Sequence, residues 1–129
     1  MKRILFPLLV LLSLPCVVNG SHLNNQRQLI VTSESTSESI KLAKYLKDYG
    51  VVKYSAYWCP NCLNQSELFG KQAYRELNVV ECAIDGINSQ TPLCIDKKIK
   101  GFPTWEINGK LILGVLSLEE LSKLTGFKN

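Results

Sequence analysis

Histidine is almost absent from this 129-residue chain: His22 is the only one. Zinc sites that use a C-x-x-C pair usually add a second such pair or two histidines. Neither accompanies Cys59-Pro60-Asn61-Cys62, so a metal centre is disfavoured, and no metal or organic cofactor is implied. Strong charge is also lacking. A formal net charge of +4 is too small to argue for a nucleic-acid partner. No internal repeat is visible, and there is no set of membrane-spanning helices.

The one long apolar stretch stands at the start. Met1-Lys2-Arg3 is followed by Ile4 to Val18, interrupted by Pro7, Ser13 and Pro15. A positive n-region before an apolar h-region reads as a secretory signal, too short and broken to span a bilayer comfortably. Val18-Asn19-Gly20 offers small residues for cleavage, so residues 1–20 are expected to be a signal peptide. An uncleaved membrane tether is the alternative. Acylation of Cys16 is another, although Pro15 fits it poorly. Loss of Lys2, Arg3 and Cys16 lowers the charge from +4 to +2 and leaves Cys59, Cys62, Cys82 and Cys94. An even cysteine count in an exported chain suggests pairing. The remainder suffices for one small domain.

Residues 21–36 are polar and read as a flexible lead-in; the domain proper is expected over 37–129. Ser35-Thr36-Ser37-Glu38 has the capping-box form and opens a helix that Gly50 can close. Val51 to Tyr57 is β-branched and aromatic and reads as a strand. A helix follows from Pro60 to about Leu77, with Gly70 marking a bend and Phe69, Tyr74 and Leu77 as core. Val79 to Ile84 reads as a strand, Asp85 to Gln90 as a loop, and Thr91 to Ile99 as a short helix. Two strands, Thr104 to Ile107 and Leu111 to Val115, flank Asn108-Gly109, a type I′ hairpin signal. Ser117 to Glu120 opens a last helix, closed by Gly126. This order predicts an α/β fold, a small mixed sheet with helices on both faces.

The cysteine pair falls where a strand gives way to a helix. Cys59 at the helix N-terminus meets unpaired N–H groups and the positive end of the dipole, which favour a thiolate. Cys62 lies one turn further in. The expected chemistry is thiol–disulfide exchange, with Cys59 as nucleophile and Cys62 as the thiol that resolves the mixed disulfide. A purely structural Cys59–Cys62 bridge gains little, because the loop is so short.

Trp58-Cys59-Pro60-Asn61-Cys62 after an apolar strand, with Phe102-Pro103-Thr104 opening a later one, resembles the thioredoxin superfamily. Over Gly50 to Gly126, "AYWCPNC", "ELFG", "VEC", "FPTWEINGK" and "GVLSLEEL" resemble the thioredoxin-like domain fused to bacterial and plant homologues of vitamin K epoxide reductase. The resemblance implies a compact thioredoxin-like fold and a cis Pro103 facing the pair. Pro103 would position the substrate chain, framed by Phe102 and Thr104. Trp58 would shield the pair and offer an apolar docking surface. Protein thiols and disulfides are the implied substrates. A separate membrane quinone-linked protein related to vitamin K epoxide reductase is the implied partner. The implied setting is a periplasm or thylakoid lumen.

Two residues depart from these patterns. Asn61 stands where the family often has histidine, so a milder oxidant is expected. Lys53 stands where thioredoxin has a buried aspartate. Its amine could favour thiolate beneath the pair, but the preferred reading is a packed stem with the amine in solvent. For Cys82 and Cys94 a stabilising disulfide is preferred over a redox relay. Lys97, Lys98 and Lys100 read as a solvated face rather than a guide for an acidic partner, and Trp105 as core. Two rival functions stay open: a disulfide reductase or isomerase, and a disulfide-stapled binding module without catalysis.

Overall fold

Residues 26–129 are described by the computed structural model; the expected signal peptide, Cys16 and His22 lie outside the described residues. The sheet is built around β1 (Val52–Ser55). On one side β1 pairs in parallel with β2 (Val79–Glu81), and on the other antiparallel with β3 (Thr104–Ile107). β3 continues through Asn108 and Gly109 into β4 (Lys110–Leu113), giving the order β2-β1-β3-β4. Both turn residues have positive φ, 51° and 74°, as the type I′ reading requires. The expected mixed α/β sheet is present. β3 has the expected bounds, while β1, β2 and β4 are shorter than expected. β1 ends where the chain turns at Ala56, whose carbonyl accepts from the Cys59 N–H at 3.0 Å.

Among the described residues five helices cover the sheet: α1 (Ser37–Tyr49), α2 (Pro60–Phe69), α3 (Lys71–Tyr74), α4 (Thr91–Asp96) and α5 (Leu118–Thr125). The Ser117–Glu120 capping box forms in full at α5. The expected box at α1 does not. There Thr36 is the N-cap, accepting from the Ser39 N–H at 3.0 Å. The Ser35 hydroxyl instead accepts from the Ala73 N–H at 2.9 Å, tying the chain before α1 to α3.

The main core joins Leu42, Leu46, Val51, Phe69, Trp105, Ile107 and Leu121, with Leu77 packed against it. Buried Gln65 bridges α2 to the far end of the sheet. Its Oε1 accepts from Trp105 Nε1 at 3.1 Å and from the Leu116 N–H at 2.7 Å, and its Nε2 donates to the Leu116 carbonyl at 2.8 Å. All of its polar atoms are therefore matched, as burial demands.

The segment expected to be a flexible lead-in is, from residue 26 onward, strapped to the domain. The Thr32 and Ser33 N–H groups each donate to the Glu67 carboxylate at 2.8 Å, and the Ser33 carbonyl accepts from Lys71 at 2.8 Å. Hydrogen bonds from Ser33 and Thr32 hold the Glu67 carboxyl down at about 2.

Gly70, between α2 and α3, lets this strap lie flat. Its φ is +82°, and a Cβ there would sit 2.5 Å from Ser35 N and 2.6 Å from Glu34 C. Both obstacles are backbone and cannot rotate away. Gly70→Ala is therefore expected to cost about 2 kcal/mol or more, read as a lowered urea midpoint. An unchanged midpoint would mean that the strap yields freely.

Candidate active site

Cys59 caps α2. Its backbone is extended, Pro60 fills the first helical position, and its sulfur accepts from the Cys62 N–H at 3.3 Å. A proline at that position loses no hydrogen bond and presets the helical φ. The sequence Cys-Pro thus leaves the Cys59 sulfur over the open N–H groups of the first turn. Cys59 and Cys62 are both free thiols. Cys59 is 7% exposed and Cys62 wholly buried, so only the first can meet a partner molecule.

The loop before β3 closes the other side. The Phe102–Pro103 peptide is cis, and the Cys59 thiol donates to the Phe102 carbonyl at 3.5 Å. The structure therefore brings Cys59, Cys62, Phe102 and Pro103 together. Thr104 is buried and turned inward, its hydroxyl donating to the Gly101 carbonyl at 2.7 Å. Trp58 stands beside the pair, 60% exposed, with its ring edge-on to Phe102 at 6.2 Å between centroids. It is a large apolar side chain left in solvent next to the Cys59 sulfur. A surface cleft of about 520 Å³, lined by Ile84, Pro92 and Ile95, does not include either thiol. Exchange between sulfur atoms at a surface needs no enclosed cavity.

Beneath the pair, the expectation for Lys53 is corrected. Its amine does not reach solvent; the residue is 0% exposed. Nζ donates to Ser66 Oγ at 2.6 Å and to the Cys62 carbonyl at 3.3 Å, and lies 5.5 Å from the Tyr74 ring centroid. Burial pulls its ammonium down to about 8, against Cys62, Cys59 and Glu81, which favour the charged form. Burial also pushes the Cys62 thiol up to about 11, and its hydrogen bond with Cys59 adds to the rise. Ser55, the Ala56 backbone and Lys53 oppose that rise. Neither Ser55 nor Ser66 was singled out from sequence. Ser55 sits two residues from Lys53 on a strand and so shares its face, and Ser66 sits four residues after Cys62 on a helix. Those spacings were the available signal.

Cys82 and Cys94 form a disulfide, with Cα atoms 5.8 Å apart. It ties the end of β2 to α4. Both cysteines pack with Tyr54 and Val80 on the face of β1 opposite Lys53. Lys97 does not merely face solvent: its amine pairs with Glu106 at 2.7 Å. Among the described residues no cluster suited to a metal ion occurs, and no helix is long and apolar enough to cross a membrane.

No family model matches the chain. A curated relative does: the thiol-disulfide oxidoreductase LTO1 of Arabidopsis thaliana, 46% identical over 100 residues. This is a thioredoxin-like domain related to a thiol–disulfide oxidoreductase. The match covers 75% of the present chain but only 27% of the relative, so the chain spans about a quarter of that protein's length. Nothing in the match concerns a fusion to vitamin K epoxide reductase. The thioredoxin-like architecture itself accounts for the placement of the pair, at the end of the central strand and the start of the helix laid across it.

Proposed function

We propose that this thioredoxin-like domain is an exported enzyme that oxidises dithiols in substrate proteins through Cys59 and Cys62. The observation that carries the reading is the Cys59 sulfur, held at the start of α2 by the Cys62 N–H and facing the Phe102–Pro103 loop. In the oxidised enzyme a substrate thiolate attacks Cys59 Sγ. The Cys59–Cys62 bond breaks and Cys62 leaves as a thiolate. The second substrate thiol then attacks the mixed disulfide, forms the product disulfide and releases Cys59. Two electrons and two protons pass to the pair. A membrane protein related to vitamin K epoxide reductase removes them to a quinone and restores the disulfide. Pro103 aligns the substrate chain so that its sulfur meets Cys59, and Trp58 anchors the apolar residues around it. The setting is a periplasm or a thylakoid lumen, where such oxidation is sustained.

The test is the equilibrium of the Cys59–Cys62 pair against a glutathione series. An oxidant with uncharged Asn61 between the cysteines should lie between about −120 and −200 mV. A value near about −270 mV would make the protein a reductase instead. A pair that never exchanges would leave only a binding module.

A further inference from the structure

Lys53 is an unusual group to bury. Among the described residues, no carboxylate lies within ion-pairing distance of its amine. A buried ammonium without an anion is costly, and the neighbours that favour its charge most are the two thiols. Ser55 presents a second anomaly on the same side of β1. Its hydroxyl is buried and is the one such side-chain group without a hydrogen-bond partner among the described residues. It nevertheless lies close enough to Cys62 to draw that thiol down. Both anomalies disappear if Cys62 becomes an anion. The Ser55 hydroxyl then gains an acceptor, and Lys53 gains a counter-charge.

We propose that Lys53 and Ser55 form a buried cradle that holds the Cys62 sulfur as an anion during the resolving step. This rests on the redox reading above. Lys53 is bonded to the Cys62 carbonyl and to Ser66 rather than to the sulfur, so it is a positioning residue. Ser66 fixes it by accepting from Nζ while donating to that same carbonyl at 2.8 Å.

In the resolving direction, Cys62 loses its proton to solvent, and the Lys53 ammonium beside it balances the charge of the thiolate. The Cys62 thiolate attacks Cys59 Sγ, the Cys59–Cys62 bond forms, and the substrate sulfur leaves as a thiolate that protonates from solvent. In the oxidising direction Cys62 leaves as a thiolate beside the same ammonium and takes its proton from solvent. The other groups facing this site are Cys59 at the N-cap, Tyr74 of α3 and Glu81 of β2. Burial raises the Glu81 carboxyl, chiefly opposed by backbone N–H groups of Ala83 and Tyr57, and it makes no ion pair with Lys53.

The experiment follows the mixed disulfide formed when reduced protein meets oxidised glutathione, by acid quench and mass spectrometry across pH. Lys53→Met should slow its resolution about tenfold or more at neutral pH and move the pH profile upward by about one unit. Ser55→Ala should slow it about threefold. A Lys53→Met profile that overlays the wild type overturns the proposal. Should that variant not fold, NMR titration of Lys53 in the wild type decides. Its ammonium should titrate higher in the reduced than in the disulfide form, and equal values overturn the cradle. Wild-type protein that never forms the mixed disulfide would sink the redox reading itself. Exchange that proceeds without regard to Lys53 sinks only this inference.

Discussion

Cys59→Ser is expected to abolish exchange with glutathione and with protein disulfides, a loss of about 10³-fold or more, because an alcohol does not attack a disulfide at neutral pH. Cys62→Ser should behave differently. The more accessible Cys59 sulfur still attacks, but nothing inside the protein releases what it captures. The expected product is a stable adduct, seen as a mass increase of one glutathione on the intact chain. This asymmetry follows from the burial difference between the two residues, 7% against 0% exposed. Equal trapping by both single variants would show that either cysteine can meet a partner, and the assignment of roles would fail.

The second large effect concerns the other cysteine pair. Cys82 and Cys94 close a loop with a sequence separation of 12. The chain-entropy model gives about 3 kcal/mol for such a loop. Replacing both by serine should therefore lower the melting temperature by roughly 10–20 °C for a domain of this size. Below the new transition, glutathione exchange at Cys59 should persist. Thermal unfolding and the exchange assay together separate two roles for this disulfide. A staple changes the first and spares the second, whereas a relay to the active pair would lose exchange in protein that is still folded. Cys82 and Cys94 pack on the face of β1 away from Lys53, which favours the staple.

Local patterns were legible wherever they depend on neighbours a few residues away. Asn108-Gly109 gave the hairpin, Ser117 with Glu120 the last helix, and Cys59-Pro60 the helix start beneath the reactive sulfur. The misplaced readings share one cause: their partners lie far along the chain. Ser35 has the right spacing to Glu38 for a capping box, yet its hydroxyl is taken by Ala73, 38 residues on. The polar run before α1 resembles a loose tail because the Glu67 carboxylate that holds it is 34 to 35 residues away. Lys53 is the most instructive case. Strand alternation shows which face it occupies, but not that α2 lies across that face and seals the amine from water. Gly70 was legible as a bend, while the backbone of residues 34 and 35 pressed against it was not.

The two tryptophans occupy opposite environments. Trp58 is 60% exposed beside the reactive sulfur, and Trp105 is 1% exposed, with its indole N–H held by Gln65. The intrinsic fluorescence should accordingly divide into a long-wavelength emitter that senses oxidation of its neighbour and a short-wavelength emitter that senses melting of the interior. One label-free spectrum could then follow electron transfer and unfolding as independent signals in the same sample.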